Sequence, residues 1–250
     1  YIAANDEFNY TPTTDDSPFF YQFNPGLPIG LADLLLISLV LVFVYLSWVI
    51  FFFVRRDRHQ WKRASLAPYF AVLGAAFMLV EIPLTQRFNL LLGQPVLSMV
   101  AVVGALLIGG GLGSLVSSLC SVAALPRLVS AFALAVGAAV LLSLGAYPAL
   151  IRWSLPLSLP ARLALTIAAL LPLGFLMGVP FPSGLRIAAH ADPQGVAAFW
   201  GANEMTSVLG SALAMMLAVS VGFSAALVLG AALYGLAAGL AWLAWPRLLA

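Results

Sequence analysis

The residues able to do chemistry in this chain are few, and most of them stand beside or inside long apolar stretches. Glu81 lies in Met78-Leu79-Val80-Glu81-Ile82-Pro83-Leu84-Thr85-Gln86-Arg87. An ionisable side chain in a membrane-length span costs at least about 2.5 kcal/mol on insertion scales, so it needs a partner or a task. One task makes Glu81 a proton or cation site lining a cavity, with Gln86 and Arg87 following within about two turns. The alternative, which asks less of the sequence, makes it a neutral or Arg-paired group that fixes helix packing. Glu204 follows Asn203 near the start of a later apolar run, where a carboxylate close to a helix N-terminus is favoured by the backbone dipole. If the two helices meet, Glu81 and Glu204 share a site. Glu81, Gln86, Arg87, Asn203 and Glu204 are therefore the candidate intramembrane polar site.

Other chemistries find no constellation. His59 and His190 have no second His, Cys or acid at ligand spacing, so no metal is expected. No serine has a histidine and acid placed to activate it, so no catalytic residue is assigned. Gly109-Gly110-Gly111-Leu112-Gly113-Ser114 lacks the preceding strand and the third glycine of a dinucleotide loop, and no cofactor is expected. The single cysteine, Cys120, closes no intrachain disulfide and reads as a small apolar group at the end of a run. A net charge of +2 gives no footing for nucleic acid.

The elements that must position these groups follow from composition. Hydrophobic residues make up 63% of the 250 and charged residues only 8%, which excludes a water-soluble globule. A hydrocarbon layer about 30 Å thick needs about 20 helical residues. Seven apolar runs qualify: about Leu31 to Val54, Leu66 to Leu84, Val96 to Cys120, Leu128 to Ile151, Ala161 to Val179, Val196 to Val221, and Ser224 to Trp245. They are too long and too uniform for barrel strands, so the fold class is an all-α polytopic membrane bundle of about seven transmembrane helices. Its partner is the lipid bilayer. Residues 1–25 form an extramembrane segment, polar, acidic and without a leader pattern, that looks like the tail of an upstream domain. Residues 26–250 form the transmembrane helical domain. Pro83 is expected to bend its helix, and Pro180-Phe181-Pro182 to stop the fifth run and return the chain. Three pairs of glycines four apart, Gly109/Gly113, Gly174/Gly178 and Gly235/Gly239, mark candidate close helix contacts. Tryptophans near span ends read as interfacial anchors.

With seven crossings, Arg55, Arg56, Arg58, Lys62, Arg63, Arg127, Arg186 and Arg247 fall on one side and Arg87, Arg152 and Arg162 on the other. This bias puts loop 55–63 in the cytoplasm and the N-terminal segment outside.

Taken in order, several motifs form a familiar set: Thr13-Thr14-Asp15-Asp16-Ser17-Pro18-Phe19-Phe20, Phe77 to Ile82 with Gln86-Arg87-Phe88, Leu92-Gly93-Gln94-Pro95, Gly111 to Ser114, Pro180 to Arg186, and Trp200 with Asn203 ahead of Ser207 to Ser211. The chain thereby resembles, over nearly its whole length, the membrane module of bacterial spermidine-synthase-like integral membrane proteins. It departs from that pattern at Gln94, where His is expected, and at Glu204, where Gly is expected. The resemblance implies a soluble Rossmann-like domain, similar to aminopropyltransferases and methyltransferases, ahead of the membrane helices. The nucleotide loop and catalytic acids of such a domain have no counterpart in residues 1–250.

Three functions are thus expected, in order. The first is a non-catalytic membrane scaffold, an accessory subunit beside other integral membrane subunits in a respiratory or photosynthetic type of complex. The second is the membrane module of a spermidine-synthase-like enzyme. The third is a small-solute or proton-coupled transporter using Glu81 and Glu204.

Overall fold

The computed structural model describes residues 13–18, 29–49, 51 and 60–245. Asp6, Glu7, Arg55 to His59 and Arg247 lie outside the described residues, as do the side chains of Lys62 and Arg63. The protein is an all-α polytopic bundle. Its helices are α1 (Ile29–Val49), α2 (Gln60–Leu92), α3 (Pro95–Leu119), α4 (Leu125–Ser154), α5 (Leu159–Met177), α6 (Pro180–Ala191), α7 (Val196–Ser220) and α8 (Phe223–Ala244). Seven stretches are long and apolar enough to cross a membrane, with α5 and α6 contributing to one of them, Leu159–Ala191. Among the described residues the only pairing of extended backbone is a single bridge, Thr14 to Ser17.

Helix α2 is the axis of the bundle. Its buried residues Tyr69, Leu73, Ala76, Val80, Leu84, Phe88 and Leu91 recur every three or four positions, so they form one stripe along the helix. The helix packs against α7, α8 and α3, and half of its span is buried against 11% for α1, which packs on α7 at the margin. Pro83 does not divide α2, because it removes one bond from a 33-residue ladder and the proline itself is buried among its neighbours. Gly93, at φ +70, ends the helix by returning its amide to Asn89 O at 2.8 Å, and Pro95 then opens α3.

Two expectations about helix ends are corrected. Pro180 does not turn the chain back but starts α6, because Gly178 and Val179 both keep right-handed helical backbone angles across the break. A proline at the first helical position gives up a donor that the ladder does not need. The chain reverses later, at Asp192–Gly195. Trp245 is no interfacial anchor: it is fully buried, its ring 4.4 Å from that of Tyr69, whereas Trp153, Trp200 and Trp242 are exposed as anchors should be.

The two ends of the bundle are identified by what crosses between helices. At one end Arg87, Asp16 and Ser224 meet, and Arg162 reaches Leu91 O at 3.1 Å. At the other, Tyr45 donates to Ala198 O at 2.7 Å, Tyr69 to Pro180 O at 2.9 Å, and Arg186 to Ser117 O.

Since lipid tails are as apolar as leucine, close packing rather than water exclusion must hold these helices together. Glycine does this between α3 and α5. A Cβ on Gly109 would lie 2.5 Å from Leu171 O, one on Gly174 would lie 2.7 Å from Leu106 O, and Gly113 and Gly178 each abut the backbone of the opposite helix. The third pair is different. Gly235 and Gly239 have open space where a Cβ would stand and line a shallow apolar groove with Leu134, Trp242 and Leu243, so they are not a contact. Gly109 to Gly113 lie inside helix α3.

Gly113→Leu should lower the unfolding midpoint in detergent by roughly 4–10 °C, the cost of overpacking a closed contact. Gly239→Ala should leave the midpoint unchanged or raise it, since alanine is the better helix former. Equal losses in both variants would show that the α3/α5 contact has no special closeness.

Candidate functional site

The residues of the expected polar site do not converge. Glu81 is half-buried in α2, its carbonyl accepting the Thr85 hydroxyl at 2.9 Å. Glu204 is exposed on α7, one turn after Trp200, whose indole N–H donates to Glu204 Oε1 at 3.0 Å. Asn203 faces inward, and its amide donates to Phe70 O on α2 at 3.1 Å. That bond registers α7 against α2 at Phe70, eleven residues before Glu81, or about 16 Å along the axis at 1.5 Å per residue. The two glutamates therefore share no site. Gln86 is half-buried.

Arg87 alone of the five enters a polar cluster, and it does so with residues that spacing did not indicate. Residues Thr13 to Pro18 form a tight turn, closed by Ser17 N to Thr14 O at 3.0 Å and Ser17 N to Thr14 Oγ1 at 3.2 Å. The turn presents Asp16 to the start of α8. Phe223 N donates to Asp16 O at 2.9 Å, Ser224 N to Asp16 Oδ1 at 3.0 Å, and the Ser224 hydroxyl to the same oxygen at 2.8 Å. Helix α8 has no acid in its own first turn, so Asp16 supplies the negative charge that its amides and dipole favour. Gly222 makes the approach possible: its φ of +116 suits glycine, and a Cβ there would strike the Asp16 carboxylate.

Arg87 completes the junction from α2. Its Nη2 donates to Asp16 Oδ1 and, at 2.7 Å, to Ser224 Oγ. The arginine side chain is 6% exposed and that of Asp16 36%, so the pair lies at the edge of the bundle interior. Nη1 of Arg87 is buried and has no hydrogen-bond partner among the described residues. A buried donor left unpaired costs about 1–3 kcal/mol, more on a charged group, which marks this atom as unfinished business for the fold.

Beside the junction lies a half-open cavity of about 690 Å³. Thr14, Asp15, Asp16, Arg87, Arg152 and Ser224 form its polar wall. Leu90, Leu144, Pro148, Ile151 and Leu155 form the apolar one. Asp15 and Arg152 are exposed, so they stand free to meet a ligand. No group of three or more potential metal ligands occurs among the described residues.

Sequence reasoning missed Asp15, Asp16, Arg152 and Ser224. A signal existed for Asp16: Arg87 stands at the end of an apolar run with no acid three or four residues away, and two adjacent aspartates sit in a turn-forming Thr/Ser/Pro context.

Asp16→Asn should cost about 3 kcal/mol, because it leaves the Arg87 charge buried without its counter-ion. Adding Arg87→Met should restore part of that loss, giving a coupling energy above about 1 kcal/mol in a double-mutant cycle of unfolding in detergent. Strictly additive losses would mean that the pair is not coupled.

Comparison with protein-family models, with curated proteins and with solved structures finds no match for this chain.

Proposed function

We propose that the chain is a non-catalytic integral membrane scaffold, an accessory subunit that packs beside other integral membrane subunits. The observation that carries this reading is where its interior polar groups spend their hydrogen bonds. Tyr45, Tyr69, Tyr147, Ser130 and Asn203 each donate to a backbone carbonyl of another helix. Arg162 donates to Leu91 O and Leu157 O, and Arg186 to Ser117 O, all at or just beyond helix C-termini, where carbonyls are free and a cation is favoured. Polar groups used in this way fix helices relative to one another and leave little for moving a solute. The separation of Glu81 from Glu204 weighs in the same direction against a proton-coupled transporter.

The location that goes with this reading is a bacterial inner membrane with loop 55–63 in the cytoplasm and the N-terminal segment outside. Its orientation is supported by the charge bias of the sequence and by the grouping of Arg87, Arg152 and Arg162 at the end of the bundle that carries the Thr13–Pro18 turn, and the bacterial membrane by the family resemblance alone.

A second reading, the membrane module of a spermidine-synthase-like enzyme, draws on one observation. The segment that resembles the junction between soluble domain and helices in that family is docked onto α8 through Asp16. A reading frame that continues upstream of Tyr1 into a Gly-rich strand-turn-helix would favour it.

In mild detergent the 26.4 kDa chain should migrate on native gels with other integral membrane subunits, at several times its own mass. Recovery as a lone, stable, functional monomer from its native membrane would overturn the scaffold reading.

A further inference from the structure

We propose that the cavity beside Arg87 binds the phosphodiester head group of a membrane lipid. The proposal is independent of the scaffold reading and rests on the shape and charge of the cavity. Three features converge. The cavity is amphipathic, with Leu90, Pro148 and Leu155 on one wall and charged groups on the other, which matches a molecule that is apolar along one side and ionic at one end. Its polar wall holds a guanidinium whose Nη1 is buried with no partner among the described residues, on a side chain 94% withdrawn from solvent. A second guanidinium, that of Arg152, is exposed on the same wall.

The charge balance selects the ligand. Asp16 is already satisfied by Arg87 Nη2, by the Ser224 amide and by the Ser224 hydroxyl, and it sits at the positive end of the α8 dipole. The pair of Asp16 and Arg87 offsets one negative and one positive charge of the lining. What the cavity still offers is the exposed Arg152 guanidinium and the exposed Asp15 carboxylate beside the Arg87 side chain, a balanced lining that suits a zwitterion carrying a phosphate and an ammonium. Guanidinium groups hold phosphate oxygens in charge-assisted hydrogen bonds, and their forked donors suit a tetrahedral anion better than a halide. A phosphodiester would accept from Arg152 and lie beside the Arg87 guanidinium, while an ammonium substituent would fall to Asp15. A volume of about 690 Å³ admits a head group with the first part of its acyl chains, not a whole lipid. The cavity also lies at the end of α2 and α4, the depth at which head groups meet a bundle of spanning helices.

The test is native mass spectrometry of the full chain, stripped of lipid in detergent and titrated with short-chain phosphatidylethanolamine, the matched diacylglycerol, or glycerophosphate. One phosphatidylethanolamine should be retained saturably per chain, with the other two retained at least about tenfold more weakly. Arg152→Ala should weaken retention about tenfold and leave the unfolding midpoint of the lipid-free chain unchanged, since Arg152 is exposed. Leu144→Trp, which narrows the apolar wall, should weaken it as well. Equal retention of diacylglycerol, or undiminished retention by Arg152→Ala, would overturn an anion-reading site. Glycerophosphate held as tightly as the lipid would assign the cavity to a soluble phosphate compound and overturn the lipid.

Discussion

Hydrocarbon supplies no hydrogen bonds, and every backbone amide and carbonyl of this chain that crosses the membrane must find its partner within the protein. That constraint makes each span a helix and moves the difficulty to the helix ends, where the ladder runs out. Much of the polar inventory is found there. Arg162 lies against the carbonyls after α4 and at the end of α2, Arg186 against the end of α3, and Asp16 against the amides that open α8. A chain with only 8% charged residues places several of them at the points where backbone groups are left over.

Between the ends, the helices are joined by two different kinds of contact. Helices α3 and α5 approach until backbone touches backbone at Gly109, Gly113, Gly174 and Gly178, so dispersion over a close surface is the whole of the attraction. Helix α2 meets α7 and α8 at Gly74, Gly210 and Gly230 too, but there polar bonds are added: Asn203 to Phe70 O toward one end and Arg87 to Ser224 at the other. The polar bonds set axial register, which a smooth stripe of small residues does not. Stacking of Phe70 on Phe199, with ring centroids 5.7 Å apart, reinforces that register from α7.

The junction of Asp16, Arg87 and Ser224 ties a turn near the N-terminus to a helix more than two hundred residues later, and so makes residues Thr13 to Pro18 part of the bundle rather than an appendage. It also creates an asymmetry. Of the two terminal nitrogens of Arg87, Nη2 serves Asp16 and Ser224 while Nη1 is buried with no acceptor among the described residues, on a side chain that borders a cavity also lined by Arg152. The planar fork of the guanidinium lets one nitrogen serve two acceptors while the other points elsewhere.

Composition and run length alone determined the membrane environment, the helical class and seven spans, because apolar runs of 20 residues leave the backbone no other choice. Glycine spacing identified two of three packing pairs, yet Gly235 and Gly239 have the same spacing and open onto a groove, since spacing defines a helix face without saying what lies opposite. The candidate site was legible only in Arg87. Glu81 and Glu204 drew attention as acids in apolar runs, but their separation depends on how α2 and α7 are registered, and Asn203 decides that. The pairing of Arg87 with Asp16, 71 residues away, and of both with Ser224 is a property of helix arrangement. Local pattern reaches about one helical turn along the chain, whereas a charge at a bundle end is neutralised by whichever group the fold brings across.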